Sequence, residues 1–501
     1  MSAAILPLPD WVARREITHS DHVALEGPNG ELVTFEALER EVALAAGWLR
    51  GLGAGPGQRV ALLAGASLEF AVLVHAIPRS GAAMVPLNDR LTEAELAFQL
   101  RDAEVRLLAA DTPHLDQANV ATLELDITVV TSEDRPWAEA SPLAAPEALD
   151  PDAVHSVIYT SGTTGSPKGA LLTFGNFYAS AVASAGNLGV EPEDRWLACM
   201  PLFHVGGLSI ILRSAIYATT AVIHDGFDED RANAAVRMEG ITLLSVVATM
   251  LRRMLDADEE PYPSSVRAVL VGGGPVPEEL LVRARDRGLP VLQTYGLTEA
   301  TSQVATLGAE DALWKLGSSG RPLSSTTIAI EVDGRWAVPG EIGDVLVAGP
   351  TVTLGYLDRP DATAEALRDG WLHTGDLGSL DDEGYLTISD RRDDLIVTGG
   401  ENVYPAEVEA ALSMHPQVGE SAVIGVADAR WGAVVTALVV SVGDEVPAPE
   451  QLVDHLRSTL AGYKVPRRFE FAAEPLPRTA SGKLQRHLVR EQLSGTDESP
   501  R

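Results

Sequence analysis

Short apolar runs alternate with amphipathic helical segments along most of the chain, and this alternation limits the possible fold more than any other sequence feature. Residues 35–53 (FEALEREVALAAGWLRGLG) place apolar side chains at helical spacing and end in glycines, and RVALLA at 59–64 has the character of a buried strand. A further helix and strand follow. The pattern continues through 92–110 and returns in RAVLVGGG (267–274), a helix near 277–287, and VLQTYG (291–296). Strands apolar on both faces need cover on both faces, so the expectation is an α/β fold with parallel and mixed sheets.

The chain has 501 residues, more than one compact core can hold, which predicts at least two domains. After residue 390 the elements shorten: a helix at 405–414, strands near 420–426 and 433–441, a helix at 450–460, and a loop-rich end. This region reads as a second, smaller α+β domain. The Pro- and Ala-rich stretch 132–152 lacks periodicity and is expected to be a surface connection within the large domain. Residues 494–501 read as a frayed tail.

Asp plus Glu number 71 against 38 Lys plus Arg, a net charge of −33 that repels nucleic acid and anionic membranes. Any nucleotide site in such a chain must concentrate local donors, cations or Mg²⁺. Only four of the basic residues are lysines: Lys168, Lys315, Lys464 and Lys483. A compact ammonium fits between crowded oxygens where a planar guanidinium does not, and two of the four fall in motifs described below. The single Cys199 rules out an internal disulfide and suits a reducing cytosol, and the first 20 residues have the wrong order for a secretory signal. The apolar stretch 202–223 is interrupted by His204 and Arg213, so it is expected to be buried core. A soluble, cytoplasmic protein is expected.

Residues 157–169 (VIYTSGTTGSPKG) run from a strand end into a loop with three glycines, several hydroxyls and Lys168. Glycines let backbone amides approach an anion, hydroxyls donate further hydrogen bonds, and the ammonium adds charge. The spacing is not that of a Walker loop. By composition alone, a flexible Gly/Ser/Thr turn is an equal alternative.

The full string YTSGTTGSPKG resembles the phosphate loop of the adenylate-forming superfamily, which includes acyl-CoA synthetases, peptide-synthetase adenylation domains and firefly-type luciferases. Further motifs follow in that family's order. The resemblance assigns Thr160, Ser161, Gly162, Thr163, Thr164, Gly165 and Lys168 to the phosphates. GGGP (272–275) suits a bare backbone lying against a flat ring, through Gly273 and Gly274. In QTYGLTEATSQ (293–303), Tyr295 would stack on adenine, Thr298 contact phosphate, and Glu299 bind Mg²⁺ as a hard oxygen ligand. Asp376 of HTGD (373–376) would take both ribose hydroxyls. In DRRDDLIVTGGENVYPAEVE (390–409), Arg391 would reach the ribose, Asp393 act as hinge, and Gly399, Gly400, Glu401 and Asn402 line the thiol channel in one conformation. PRTASGK (477–483) supplies Lys483 as the catalytic lysine. Taken singly, these residues also read as a solvated acid (Glu299), a turn residue (Asp376), a salt-bridged loop (390–409) and a solubilising charge (Lys483).

The resemblance implies a large domain, 1–392, that binds AMP and the acyl group, and a mobile lid, 393–501. It also implies the activity: MgATP and a carboxylic acid give an acyl-adenylate and pyrophosphate, and coenzyme A then takes the acyl group. Catalytic roles fall to Lys483, Thr298, Glu299 and His204, the last as a gate beside the acyl pocket; a buried, hydrogen-bonded histidine is the other reading. The segments 200–228, 294–307 and 315–323 are most similar to the o-succinylbenzoate-CoA ligase branch of menaquinone synthesis. That substrate keeps a second carboxylate, for which Arg213 and Ser302 are candidate contacts. Pairing of Arg213 with a protein carboxylate is equally open at this point. Other aryl or medium-chain acyl-CoA synthetases, carrier-loading or luciferase-like members, and a non-catalytic nucleotide-binding regulator remain alternatives. Small molecules are the expected partners, and a homodimer is left open.

Overall fold

The computed structural model describes residues 7–160, 167–273, 276–312, 314–391, 396–398, 401–403, 405–428, 431–443, 445–458, 460, 462–479 and 484–494. Their contacts divide them into two units, drawn from Met1–Gly272, Glu278–Ile328 and Val347–His373 for the first and Gly273–Pro277, Ala329–Leu346 and Thr374–Arg501 for the second.

The first unit contains two large sheets. One runs in the order Thr128–Thr131, Leu107–Ala110, Arg59–Leu63, Ala83–Pro86, Val154–Thr160, Lys168–Thr173; every pair is parallel except the last. The other has six parallel strands at its centre, in the order Val291–Leu297, Ala268–Gly272, Leu243–Val247, Arg195–Ala198, Thr220–Ile223, Val23–Glu26, with antiparallel strands at both edges. The α/β expectation therefore holds, and strand Arg59–Leu63 and helix Phe35–Gly51 fall where the apolar pattern places them.

Helices fill the space between these sheets. Leu62, Ile158 and Leu172 from one sheet and Trp196, Ile223 and Leu270 from the other join a single core through helices Phe35–Gly51, Leu68–Arg79, Phe174–Leu188 and Val205–Tyr217. Hydroxyl caps start several of them. Thr173 accepts from the Asn176 amide and Asn176 returns a bond to Thr173, satisfying two otherwise orphaned donors. Helix Val205–Tyr217 is buried along nearly its whole length, Arg213 included. At 13 residues it is far short of a bilayer span, and no helix among the described residues is long and apolar enough to cross a membrane.

One expectation needs correction. The stretch 132–152 is not simply a surface connection, because Trp137 is 1% exposed and its indole N–H donates to Glu41 at 3.0 Å. A large aromatic with a satisfied polar edge ties this part of an otherwise largely exposed segment to the core.

In the second unit, strands Glu401–Val403, Ile396–Thr398, Gly432–Ser441 and Val418–Asp428 form a sheet, and Arg468–Ala472 adds parallel to Gly432–Ser441. Helices Pro405–Ser413 and Pro449–Arg457 cover one face through Val408, Leu412, Leu452 and Leu456. The end of the chain is more regular than expected. It contains the strand Arg468–Ala472 and the helix Arg486–Ser494, whose Val489 and Leu493 pack on Ala422, Ile424 and Leu438. Each is too short for periodicity to reveal it. The expected hinge, Asp393, and residues 495–501 of the expected tail lie outside the described residues.

Candidate active site

The strand Val154–Thr160 is buried through Val157 and Ile158 and turns back antiparallel as Lys168–Thr173, with Thr160 in register with Lys168. These two residues form the neck of the glycine-rich loop. Ser161, Gly162, Thr163, Thr164 and Gly165 lie outside the described residues. The free edge of Lys168–Thr173 is occupied by residues 354–357: Leu171 N–H donates to Gly355 O at 2.9 Å and Leu357 N–H donates to Gly169 O at 2.8 Å. Lys168 Nζ lies 5.4 Å from the centre of the Tyr356 ring, within cation–π range.

Glu299 reaches the same place from another sheet. Strand Val291–Leu297 passes into a single 3₁₀ turn, Thr298–Ala300, and returns as Ser302–Thr306. Closing so tight a reversal puts Thr301 at φ +54° and Ser302 at φ +85°, two adjacent non-glycine residues in the sparsely populated left-handed region. It also needs Gly296, where a Cβ would fall 1.7 Å from the Ser302 carbonyl oxygen. Two bonds brace the turn: Thr301 Oγ1 donates to Thr351 O at 2.7 Å, and Thr353 N–H donates to Glu299 O at 2.8 Å.

At the side chain, Glu299 Oε1 accepts from the Tyr356 hydroxyl at 2.9 Å and from Thr160 Oγ1 at 3.4 Å. Three segments of the chain thus converge beside the loop neck. Of the residues expected from sequence, the structure brings Thr160 and Glu299 together, with Thr298 next along the chain and Lys168 across the hairpin. Tyr356 was not foreseen: in TVTLGYLDRP nothing marks it, since its role comes from a backbone bridge between Ala170 and Tyr356.

The donors at this point are a carboxylate and hydroxyls, and no group of three or more His, Cys, Asp or Glu able to hold a metal exists among the described residues. One carboxylate among oxygens suits a hard cation that keeps its waters and bridges phosphate oxygens, so Mg²⁺ fits here. A nitrogen- or sulfur-liganded metal does not.

The buried helix Val205–Tyr217 carries the second cluster. His204 is its N-terminal flank, without a side-chain cap bond. Its Nε2 is buried and unbonded, its ring packs 4.5 Å from that of Phe203, and burial, with the Arg90 charge second, pushes its pKa down to about 4. Burial thus favours the neutral imidazole, and Nε2 lacks the hydrogen bond that the other reading, a buried and satisfied histidine, would give it. Arg213, 3% exposed, donates through Nη2 to Ser180 Oγ at 3.0 Å and lies 5.8 Å from the Trp196 ring, while its Nε has no partner. Among the described residues no carboxylate pairs with it, and burial lowers its pKa. The intramolecular ion pair is thus absent from the described part of the chain.

Tyr295 lies on the strand leading to Glu299, opposite Ala305. Gly273, the residue after strand Ala268–Gly272, has φ +80°. Within the second unit, the part of strand Trp371–Leu380 from Thr374 on pairs with Leu386–Arg391 and places Asp376, 6% exposed, in register with Arg391. Gly274, Gly399, Gly400, Asp393 and Lys483 lie outside the described residues.

Residues 12–357 match the AMP-binding enzyme family, and residues 407–483 match the AMP-binding enzyme C-terminal domain. The chain is 43% identical over 485 residues to a 2-succinylbenzoate–CoA ligase of Bacillus cereus, covering 97% of this chain and 98% of the relative. It is 43% identical over 493 residues to the ligase of that name from Bacillus cytotoxicus, covering 97% and 99%. Among solved structures, o-succinylbenzoate CoA synthetase from Bacillus subtilis in complex with the acyl-adenylate OSB-AMP superposes with a TM-score of 0.92 at 38% identity over 99% of both chains. The same enzyme with ATP and magnesium gives 0.90 at 40% identity, over 96% of this chain and 99% of that one.

Proposed function

Because the chain belongs to the AMP-binding enzyme family, we propose that it is an ATP-dependent o-succinylbenzoate-CoA ligase. In the first half-reaction an oxygen of the aliphatic carboxylate attacks the α-phosphorus of ATP, and the bond to pyrophosphate breaks. In the second, the sulfur of coenzyme A attacks the acyl carbonyl, AMP leaves, and the thiol proton is lost to solvent.

Two anions must meet in the first step, so the protein's task is alignment and charge screening. Residues 160–165 and Lys168 hold the phosphates, Thr298 adds a hydroxyl, and Lys483 bridges the carboxylate and the α-phosphate. Tyr295 and the 272–275 loop, with Gly273 and Gly274, take adenine; Asp376 and Arg391 take the ribose. Glu299 would hold Mg²⁺, which when bound neutralises charge on the phosphate oxygens. For the second step, residues 393–501 act as a lid pivoting at Asp393, replacing Lys483 with the Gly399–Gly400 segment that lines the thiol path. Coenzyme A is the acceptor, and the setting is cytoplasmic.

The observation that carries the choice of acid is Arg213. A buried guanidinium with one hydroxyl partner and an unbonded Nε is costly unless an anion arrives. A substrate that retains a second carboxylate after activation supplies one, with Ser302 as a further contact and neutral His204 beside the acyl chain. The test is pyrophosphate release across a panel of acids, with and without coenzyme A. A clear preference for o-succinylbenzoate over benzoates and fatty acids supports the assignment, and indifference among them removes it.

A further inference from the structure

Helix Phe174–Leu188 carries a polar stripe on an otherwise apolar buried face. Asn176 Nδ2 donates to Pro350 O at 2.8 Å and to Val352 O at 2.9 Å. One turn later, Ser180, 2% exposed, donates from Oγ to Thr301 O at 2.7 Å and accepts from Arg213 Nη2 at 3.0 Å. Both sides of the Glu299 turn are therefore tied to one helix. Asn176 fixes the segment that bonds Glu299 and Thr301 from behind, and Ser180 fixes the Thr301 carbonyl directly.

The direction of the middle bonds is chemically determined. A serine hydroxyl has a single proton, and a guanidinium can only donate. Arg213 therefore occupies a lone pair of Ser180 and leaves its proton for Thr301, and a donor bond from a charged group strengthens the bond that follows it. The carbonyl so gripped belongs to the first of the two adjacent left-handed residues, between the acid Glu299 and Ser302. Such a backbone persists only where its surroundings over-determine it.

We propose that Ser180 is a positioning residue: with Arg213 behind it, it holds the Thr301 carbonyl and so fixes the orientation in which the turn presents Glu299 and Ser302. The role rests on the function proposed above only in what those two side chains face. The geometry of the relay stands apart from it.

Three variants test this: Ser180→Ala, Ser180→Thr, which keeps the hydroxyl, and Ser184→Ala, a control at a buried serine one turn further along the same helix. The readouts are amide hydrogen exchange over residues 298–303 without ligand, ATP affinity by titration with and without Mg²⁺, and the KM and kcat of acid-dependent pyrophosphate release. Ser180→Ala should speed exchange at 298–303 and raise the KM for MgATP, each by about ten-fold, with kcat changing less. Ser180→Thr should recover to within about three-fold, and Ser184→Ala should stay within about two-fold. Exchange and KM unchanged in Ser180→Ala, an equal loss in Ser184→Ala, or no recovery in Ser180→Thr would each overturn the relay. Should Ser180→Ala fail to fold, Ser180→Cys, a weak donor, must fall between wild type and full loss; wild-type values there overturn the proposal. Wild-type enzyme without acid-dependent pyrophosphate release removes the proposed function but leaves the exchange result to decide the relay.

Discussion

The Tyr356 hydroxyl donates to Glu299 Oε1 at 2.9 Å, and the segment that delivers it is bonded along its backbone to the strand that starts at Lys168. The acid proposed to take the metal and the cation proposed to take phosphate are thereby held against one shared residue. Tyr356→Phe removes one hydrogen bond to a carboxylate while keeping the ring beside Lys168. The expected result is a fall of about ten-fold in kcat/KM for MgATP and a higher Mg²⁺ requirement, in line with ~1.5 kcal/mol for a bond to a charged group. A magnesium titration of pyrophosphate release checks it, and an unchanged Mg²⁺ half-saturation counts against the pairing.

Gly296→Ala should be far more damaging than its size suggests. The new methyl would have to share space with the Ser302 carbonyl, a backbone atom that cannot swing aside. A loss of about 3 kcal/mol or more is expected, at the upper end for overpacking. Denaturant unfolding measures it; a midpoint close to wild type would mean that the hairpin has room it does not show.

Arg213→Ala separates substrate recognition from structure. If the guanidinium meets the second carboxylate, KM for o-succinylbenzoate should rise about 100-fold more than KM for a monoacid of similar size, since a charge-assisted contact of ~3 kcal/mol is lost only by the dianion, whereas the loss of the bond to Ser180 is common to both. Equal increases for both acids would return Arg213 to a structural role.

Much of this was legible in the sequence. The alternating pattern placed the elements of the two parallel sheets because their strands are apolar on both faces. The glycine-rich loop and the TYGLTE string drew attention to Thr160, Lys168 and Glu299 because phosphate and metal chemistry demand those groups. Tyr356 and Ser180 were not legible. Each acts through a partner more than 50 positions away, brought close by a backbone bridge or a helix crossing that leaves no local periodicity. Trp137 was missed for the opposite reason, since a single anchoring aromatic in a proline-rich stretch has no pattern at all.

Acid should weaken the fold before it affects the carboxylates. His75 and His155 are buried, and burial pushes their pKa values down to about 4 and about 3 from 6.5. The folded state favours the neutral rings, so their contribution is present above pH 6.5 and is lost as pH falls toward 4 and below. The loss is about 3 kcal/mol for His75 and about 5 kcal/mol for His155. The unfolding midpoint measured across this window should drop steeply. His155→Phe, placed among Trp11, Phe174 and Phe177, should flatten the drop, and an unchanged slope would exclude His155 as its source.

Lys483→Ala should abolish single-turnover formation of the acyl-adenylate while ATP still binds, because the role proposed for this lysine is on the reacting atoms and the other residues proposed for the nucleotide remain. Adenylate formed at the wild-type rate would assign that role elsewhere.

Asn176 and Ser180 stand four residues apart, and that count is itself a constraint on how chains of this kind can vary. A residue gained or lost between them would rotate one against the other by about 100°, leaving either the 350–352 segment or the Thr301 carbonyl without its donor. Insertions and deletions should therefore be absent from 176–180 in functional homologues, yet tolerated just beyond Gly189, where the helix has already ended.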